Sequence, residues 1–591
     1  MDVNKLFQNS GSVRKRKLEA VQDPSEIYKS AKLSASVSKS IRDNVQGEAS
    51  DDINDHITGP TPSPENDGFA GDYGPEMPPD DDEGRFFGGG ITHRESEILD
   101  YVDDRGEALT APEKIDGAWL RKTSLNFEKR ITKNAELRAK FAGDPRNFIE
   151  SEADLDVAIK DLSIIAEHPE LYRQFIKLGC VESLVGLLAH DNTDIAIAAV
   201  EVIGELTDED VYATDEDWDL LADALLKADV VGLLVSNFSR LNEDDESDRS
   251  GVYHALGVIE NLLSKKTNSE GVGQETTLIK WLLDRAQRKE SRVSQNKQYA
   301  TELLDIIAHT SPSIRRKLAQ LDAVDVLLQL VSVYRKRDPE KGSEEEEYME
   351  NIFNTLVCVV DEPDGKAKFV EAEGVELCLI MLKEGKLSRQ PAMRLLVHGL
   401  GGDLRGEVCR KVVEAGGLKI LFTLFKKTAQ HRMITENLFD IFSSLLRFLP
   451  ANSAERIRTL AKFVEKDYEK LNLLYEYRRK YQSMLDAVDM RIQKERIGMT
   501  PEDVEQSEGE WYLERIDEGL YSVRAVDVII AWLVAEDAGA REKARGLLAT
   551  DRKDLSAIRT TLQEYRDDLS LDKLELNDLA DMLSTLMDFL N

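Results

Sequence analysis

Cysteine is scarce and scattered: four in 591 residues, at Cys180, Cys358, Cys378 and Cys409, with no CxxC and no cysteine close in sequence to a histidine. A disulfide framework or a zinc module needs such spacing. Each of the four sits in an apolar helical run, so buried reduced thiols and an intracellular compartment are expected. Long apolar runs are missing as well. No stretch reaches 18 consecutive apolar residues, so no transmembrane helix is expected. The first residues also lack the apolar core of a signal peptide. Aromatics make up only 7% of the chain, and no alternating strand pattern stands out, which disfavours a β-sandwich. The catalytic signatures GxxxxGK[ST], GxSxG and HExxH do not occur, so enzymatic activity and a cofactor are not expected. Gly399–Gly406 is glycine-rich without the GxGxxG order and reads as a loop. His168, His190, His254, His309, His398 and His431 are scattered singly, which argues against metal binding. The acidic runs Asp80–Glu83 and Glu344–Glu347 lack calcium-loop spacing and read as solvated charge.

What the chain does have is acid and helical periodicity. It carries 112 acidic and 77 basic residues, a formal charge of −35. Such a surface repels phosphate backbones and attracts basic partners. With no basic stripe on the folded part, direct nucleic-acid binding there is not expected. Residues 1–42 are the exception, basic and densest at Arg14, Lys15, Arg16 and Lys17. Residues 43–116 turn acidic and rich in glycine and proline. That composition buries too little apolar area to offset chain entropy, and predicts a disordered tail over 1–118 with short transient helices near Val13–Tyr28 and Ser96–Val102. The basic cluster reads as a nuclear-localisation-type motif.

From Trp119 onward, apolar residues recur at i, i+3, i+4 and i+7. An internal repeat is visible in Lys177–Leu188, Gln320–Val331, Glu371–Leu382 and Glu414–Phe425. Each has a turn residue followed by an apolar helix, and each is preceded by a basic amphipathic turn. The equivalent anchors are Val181, Val230, Thr276 (the weak one), Val324, Val375 and Leu418. Their spacing clusters near the roughly 40–47 residues of armadillo and HEAT repeats, running slightly long. Units of that length bury their apolar faces only by stacking. The expectation is an all-α, right-handed superhelical solenoid, with loop insertions at Asn242–Ser250 and Lys336–Glu347.

A third helix follows each anchored one: Thr193–Asp208, Val252–Leu263, Tyr299–Ala308 and Tyr348–Val360. At 100° per residue, Glu201, Glu205 and Asp208 fall opposite the apolar stripe of the first. Glu260 and Asn261, Glu302 and Asp305, and Glu350 and Asn354 are their counterparts later on. Third helices line the binding groove of armadillo solenoids. A ladder of carboxylates and amides there suits an extended basic peptide: carboxylates pair with Lys or Arg, and Asn bonds its backbone. Beyond residue 450 the repeat gives way to a 3–4 spacing through Ile457, Leu460, Val464, Leu471, Leu474, Tyr481, Leu485, Val488 and Ile492. That reads as a long helix or hairpin with coiled-coil-like packing, which either caps the solenoid or makes a homodimer contact.

Several strings resemble one family: Leu125–Arg130, Lys133–Arg138, Phe148–Leu155, Leu187–Asp194, Val258–Leu262, Leu321–Gln329 and Tyr512–Leu520. In order and spacing, from Leu125 to Tyr565, the chain resembles the beta-catenin-like protein 1 family. The segment Ala535–Leu548 departs from it, with charged Glu536, Asp537, Arg541 and Glu542. The resemblance implies an N-terminal helical cap (119–170) ahead of the armadillo repeats (171–450), followed by atypical C-terminal helices (451–591). It implies a nuclear protein associated with the spliceosome through the NineTeen complex, recognising basic segments of splicing factors. It also implies that Arg14–Lys17 matches the family's localisation signal. The alternative is a nuclear import adaptor for other basic cargo. The five tryptophans do not form the regular third-helix array that an importin needs.

Overall fold

The computed structural model describes residues 114–427, 431–569 and 574–591. Among them are 26 α-helices and no strand. The cluster Arg14–Lys17 and the helices expected near Val13–Tyr28 and Ser96–Val102 lie outside the described residues.

Helix α1 (Gly117–Lys140) begins where Asp116 caps it. The Asp116 carboxylate accepts hydrogen bonds from the Ala118 and Trp119 amides at 2.9 and 3.1 Å, two donors that the first turn leaves unpaired. Helix α2 (Ile149–Lys160) packs on α1, and Leu120, Phe127, Leu155 and Ile159 of the pair are buried.

Six three-helix units follow. The first is α3 (Tyr172–Lys177), α4 (Cys180–Gly186) and α5 (Thr193–Thr207). The second is α6 (Asp215–Lys227), α7 (Val230–Phe238) and α8 (Glu246–Ser264). Next come α9 (Lys266–Gly273), α10 (Thr276–Gln287) and α11 (Gln295–Thr310), then α12 (Pro312–Gln320), α13 (Ala323–Val331) and α14 (Glu344–Asp361). The fifth is α15 (Pro363–Glu371), α16 (Gly374–Glu384) and α17 (Arg389–Gly399). The sixth is α18 (Arg405–Glu414), α19 (Gly417–Lys427) and α20 (Arg432–Phe448). The anchors Val181, Val230, Thr276, Val324, Val375 and Leu418 are each the first or second residue of a second helix.

The corner before that helix is left-handed in five of the six units. Gly179, Asp229, Asp322, Glu373 and Gly416 have φ of 74°, 61°, 57°, 57° and 77°. For the three non-glycine residues this backbone costs about 1–2 kcal/mol each. It lets one helix end and the next begin at once, so that both first and second helices reach the core. The third unit, whose anchor Thr276 is the weak one, turns instead at Glu275 with φ of −68°.

The third helices α5, α8, α11, α14, α17 and α20 pack side by side in chain order. Two of them start earlier than their apolar periodicity indicates. Asp245 and Ser343 cap α8 and α14, so the last part of each expected loop (Asn242–Ser250 and Lys336–Glu347), from Glu246 and from Glu344, is helix and the rest is loop. The run Glu344–Glu347 is the first turn of α14, where the partial positive charge of a helix N-terminus favours acid. The glycine-rich stretch is divided as well: Gly399 ends α17, and the loop is confined to Leu400–Leu404.

The C-terminal part contains α21 (Ala454–Arg496), α22 (Pro501–Asp517), α23 (Leu520–Glu536), α24 (Ala538–Thr550), α25 (Ser556–Asp567) and α26 (Leu574–Asp588). Helix α21 is broken. Glu465 is extended, and Lys466, Asp467 and Tyr468 are left-handed with φ of 56°, 54° and 62°. The Tyr468 hydroxyl donates to Asp537 Oδ1 at 3.0 Å, and Lys543 pairs with Asp467 at 2.9 Å. These bonds hold the break against α24. Leu471, Leu474, Tyr481, Leu485, Val488 and Ile492 are buried within the chain, where α21 packs on α22, α23 and α24. These side chains of the apolar stripe are therefore spent inside the chain. Ile457, at its start, is 58% exposed. The charged departures after Ala535 have structural work: Glu536 pairs with Arg456, and Asp537 caps α24.

Helix α23 packs on α20 and so extends the third-helix row. It carries a buried ion pair, in which Arg478 of α21 donates to both Asp527 carboxylate oxygens at 2.6 and 3.0 Å. Breaking such a pair leaves an uncompensated buried charge. Asp527→Ala is expected to lower stability by about 3–5 kcal/mol, measured as a shifted denaturant midpoint. A loss below about 1 kcal/mol would place the pair in the energetic class of surface bridges.

Candidate peptide-binding face

The polar residues selected by helical periodicity all lie on the third-helix row. They do not stand as a free ladder. Much of the set bonds from one helix to the next.

Glu201 of α5 faces His254 Nε2 of α8 at 3.6 Å. The Asn261 amide of α8 donates back to Gly204 O and Thr207 Oγ1 at 3.3 and 3.2 Å. Glu260 accepts from the Tyr299 hydroxyl of α11. Asn354 of α14 donates to Asp305 Oδ2 of α11 at 3.1 Å, and its own carbonyl oxygen accepts from Arg394 of α17. His398 of α17 then meets Asp361 of α14 at 2.9 Å. These are rungs between neighbouring helices. They engage both asparagine amides that the sequence assigned to a peptide backbone.

The remaining members behave differently from one another. Asp208 is the C-terminal cap residue of α5 and accepts from the Asp210 amide at 2.8 Å, so it shapes the following loop. Glu302 is half-buried and accepts from Gln298 of its own helix at 3.0 Å. Glu205 and Glu350 are the exposed carboxylates of the set. Burial, and then the charge of Glu201, hold the Glu205 carboxyl above its ordinary value. Burial, and then Glu346, do the same for Glu350. Both groups are partly desolvated and lie near like charge, a state that a cation would relieve.

Sequence reasoning missed the aromatic part of this face. The Tyr253 and Tyr299 rings lie 5.2 Å apart on α8 and α11. Their signal was present, since Tyr253 lies seven residues before Glu260, two helical turns along one face. It also missed a cluster: His309 Nε2 of α11 lies 3.3 Å from Cys358 Sγ of α14, 49 positions away in sequence. Local spacing rules cannot detect that pair. The neighbouring Asp305 carboxylate, then Cys358, hold the His309 imidazole up at about 11. The other three cysteines are fully buried, and burial pushes their thiols up.

Stacked three-helix units with a polar third-helix row define an armadillo-type scaffold, a class that binds peptides along that row. The match to known proteins is more specific. The model of a family described as catenin-beta-like, arm-motif containing and nuclear covers residues 96–563. The beta-catenin-like protein 1 homolog of Schizosaccharomyces pombe is 37% identical over 492 residues, 83% of this chain and 86% of its own. The human beta-catenin-like protein 1 is 34% identical over 468 residues, 77% of this chain and 82% of its own. A crystal structure of an engineered protein aligns with 78% of this chain and 98% of its own, at a TM-score of 0.45 and 15% identity. The chain belongs to the catenin-beta-like family of nuclear armadillo-motif proteins.

The raised Glu205 carboxyl has a consequence for stability. Its folded value lies above its unfolded one, so the fold binds the extra proton between the two. Stability contributed by this group is present at low pH and is lost as pH rises through the folded value. Glu205→Gln is therefore expected to raise the melting temperature near about pH 7, with the gain fading toward about pH 4. Thermal unfolding followed at several pH values checks this, and a gain independent of pH would contradict it.

Proposed function

We propose that the chain is a nuclear adaptor in pre-mRNA splicing. It binds basic, localisation-type segments of splicing factors, including subunits of the NineTeen complex, and acts as a scaffold without catalysis. The observation that carries this reading is the set of carboxylates and tyrosines spread over α5, α8, α11 and α14. Glu201 and Glu205 lie at one end, Tyr253 and Tyr299 in the middle, and Glu302 and Glu350 toward the other end. Packed helices lie about 8–10 Å apart. Four of them span roughly 24–30 Å, the length of about eight extended residues. Basic side chains at alternate positions of an extended segment share one side and therefore fall along the row of helices. Carboxylates take the cationic heads, and the half-buried Tyr253 ring takes a stem or a cation. Arg394 on α17 brings a cation to the row and marks where the acidic stretch ends.

Titrating a labelled Lys/Arg-rich peptide into the full chain tests this directly. Changing Glu201, Glu205, Glu302 and Glu350 together to Gln removes four partners worth about 0.2–1 kcal/mol each. A loss of at least about fourfold in affinity is expected, as is weakening of the normal chain's binding with added salt. Equal binding by both chains would move the binding surface elsewhere. A pull-down with the same two baits then reads the partners. Recovery of NineTeen subunits by the normal bait alone supports the splicing role, and recovery of transport cargo alone would replace it with import.

The tail motif is tested separately. Changing Arg14, Lys15, Arg16 and Lys17 to Ala is expected to shift a fluorescent fusion of the chain from nucleus toward cytoplasm. An unchanged distribution would remove that role from the cluster.

A further inference from the structure

Helices α11 and α14 bring three side chains of unlike chemistry to one place. Asp305 and His309 are four residues apart on α11 and so share a face. Cys358 comes from α14. One ligand atom from each lies within 4.8 Å of the other two. Bond lengths of about 2.3 Å to sulfur and 2.0–2.1 Å to nitrogen or oxygen place the ligand atoms of a tetrahedral zinc site about 3.5 Å apart. The observed separation of 3.3 Å between His309 Nε2 and Cys358 Sγ already meets this.

The surroundings hold the three groups in place. His309 Nδ1 lies 2.9 Å from the Asp305 carbonyl oxygen. With its proton directed there, Nε2 is the nitrogen turned toward the thiol. Asp305 Oδ2 accepts from Asn354 at 3.1 Å, and Asn354 in turn accepts from Arg394. Asp305 Oδ1 is shielded from solvent and receives no hydrogen bond; the ring Nδ1 meets it at 3.1 Å as an ion pair only. A carboxylate oriented by an amide, and an imidazole oriented through its second nitrogen, are the outer-shell arrangement of bound metals. The His309 side chain is 61% exposed, so solvent can reach the cluster and fill a fourth position.

We propose that Asp305, His309 and Cys358 form a three-ligand site for a thiophilic divalent cation of the Zn²⁺ class, with water as the fourth ligand. One thiolate, one imidazole and one carboxylate suit a borderline-soft ion, whereas Mg²⁺ and Ca²⁺ take oxygen ligands. On binding, the thiol gives up its proton to solvent, and so does the imidazolium. The two metal bonds to sulfur and nitrogen replace those two N–H and S–H bonds, with no change of oxidation state. The bound ion ties α11 to α14 and places positive charge in the acidic stretch of the row.

Co²⁺ titrated into the full chain is the probe. One equivalent is expected to produce a thiolate-to-cobalt charge-transfer band in the near ultraviolet, removed by excess Zn²⁺. The band is expected to vanish in Cys358→Ser and to need more than tenfold higher Co²⁺ in His309→Gln. Cys358 lies in a packed interface, so the exposed His309→Gln variant gives a readout that does not depend on tolerance of the serine. Mass spectrometry of iodoacetamide-treated chain gives a second readout, with Cys358 alkylation slowed at least tenfold by Zn²⁺. Absence of the band in the normal chain overturns the proposal. So does a band that persists unchanged in both variants, which would assign it to other ligands.

Discussion

Everything described depends on third helix packing against third helix. In α14, Ile352, Phe353, Leu356, Val359 and Val360 are almost wholly buried, between α11 on one side and α17 on the other. Each such side chain contributes about 1.5–3 kcal/mol when removed from water. A single unit cannot supply the covering surface, since the neighbour does so. Stability in this architecture is therefore a sum over interfaces. The first and second helices follow from that requirement. Their tight left-handed corners at Asp229, Asp322 and Glu373 are a conformational cost, offset by the area that the following helix buries.

The polar edge of the row is built on the same packing. Apolar contact brings the helices together but does not choose among sliding positions. Bonds such as Asn261 to Thr207, Tyr299 to Glu260 and Asn354 to Asp305 are satisfied in one register only. Their lateral positions along the row then place Glu205 and Glu350 on the exposed side. The exposure of these two carboxylates is thus a by-product of how the helices are keyed. The rungs leave Glu205 and Glu350 beside like charge, with carboxyls held above their ordinary values. In the tyrosine pair, Tyr299 is buried in the interface and Tyr253 is half-buried at its edge.

How much of this is legible in the sequence follows from the range of each interaction. The anchors and third helices are set by apolar periodicity within about 15 residues, and they are readable. So is the side of the helix on which Glu201 and Glu205 fall. Bonds across helices are another matter. Asn261 and Thr207 are 54 residues apart, and Asn354 and Asp305 are 49 apart. No local pattern says that these amides are engaged. The same distance hides His309 from Cys358. Helix starts were misjudged where charge precedes the apolar stripe, as at Glu246 and Glu344. There capping and the helix dipole extend the helix beyond the buried face. The place of α23 in the row was missed for a related reason. It is covered on several sides by α20, α21, α24 and α25, so it has no clean polar stripe to mark it as a third helix.

The helices after Phe448 depart from the three-helix unit. A stack of identical units would expose the apolar face of its last member. Here the chain turns back on itself. The break at Lys466–Tyr468 redirects α21, and its second half lays Tyr477, Tyr481 and Leu485 into the chain's own core. A straight helix of 43 residues would run about 65 Å, far past the interface it has to cover. The three left-handed residues are intelligible on that ground. Their strain is carried by bonds to Asp537 and Lys543. The charged residues after Ala535 are tied into the fold, Glu536 to Arg456 and Asp537 to the start of α24.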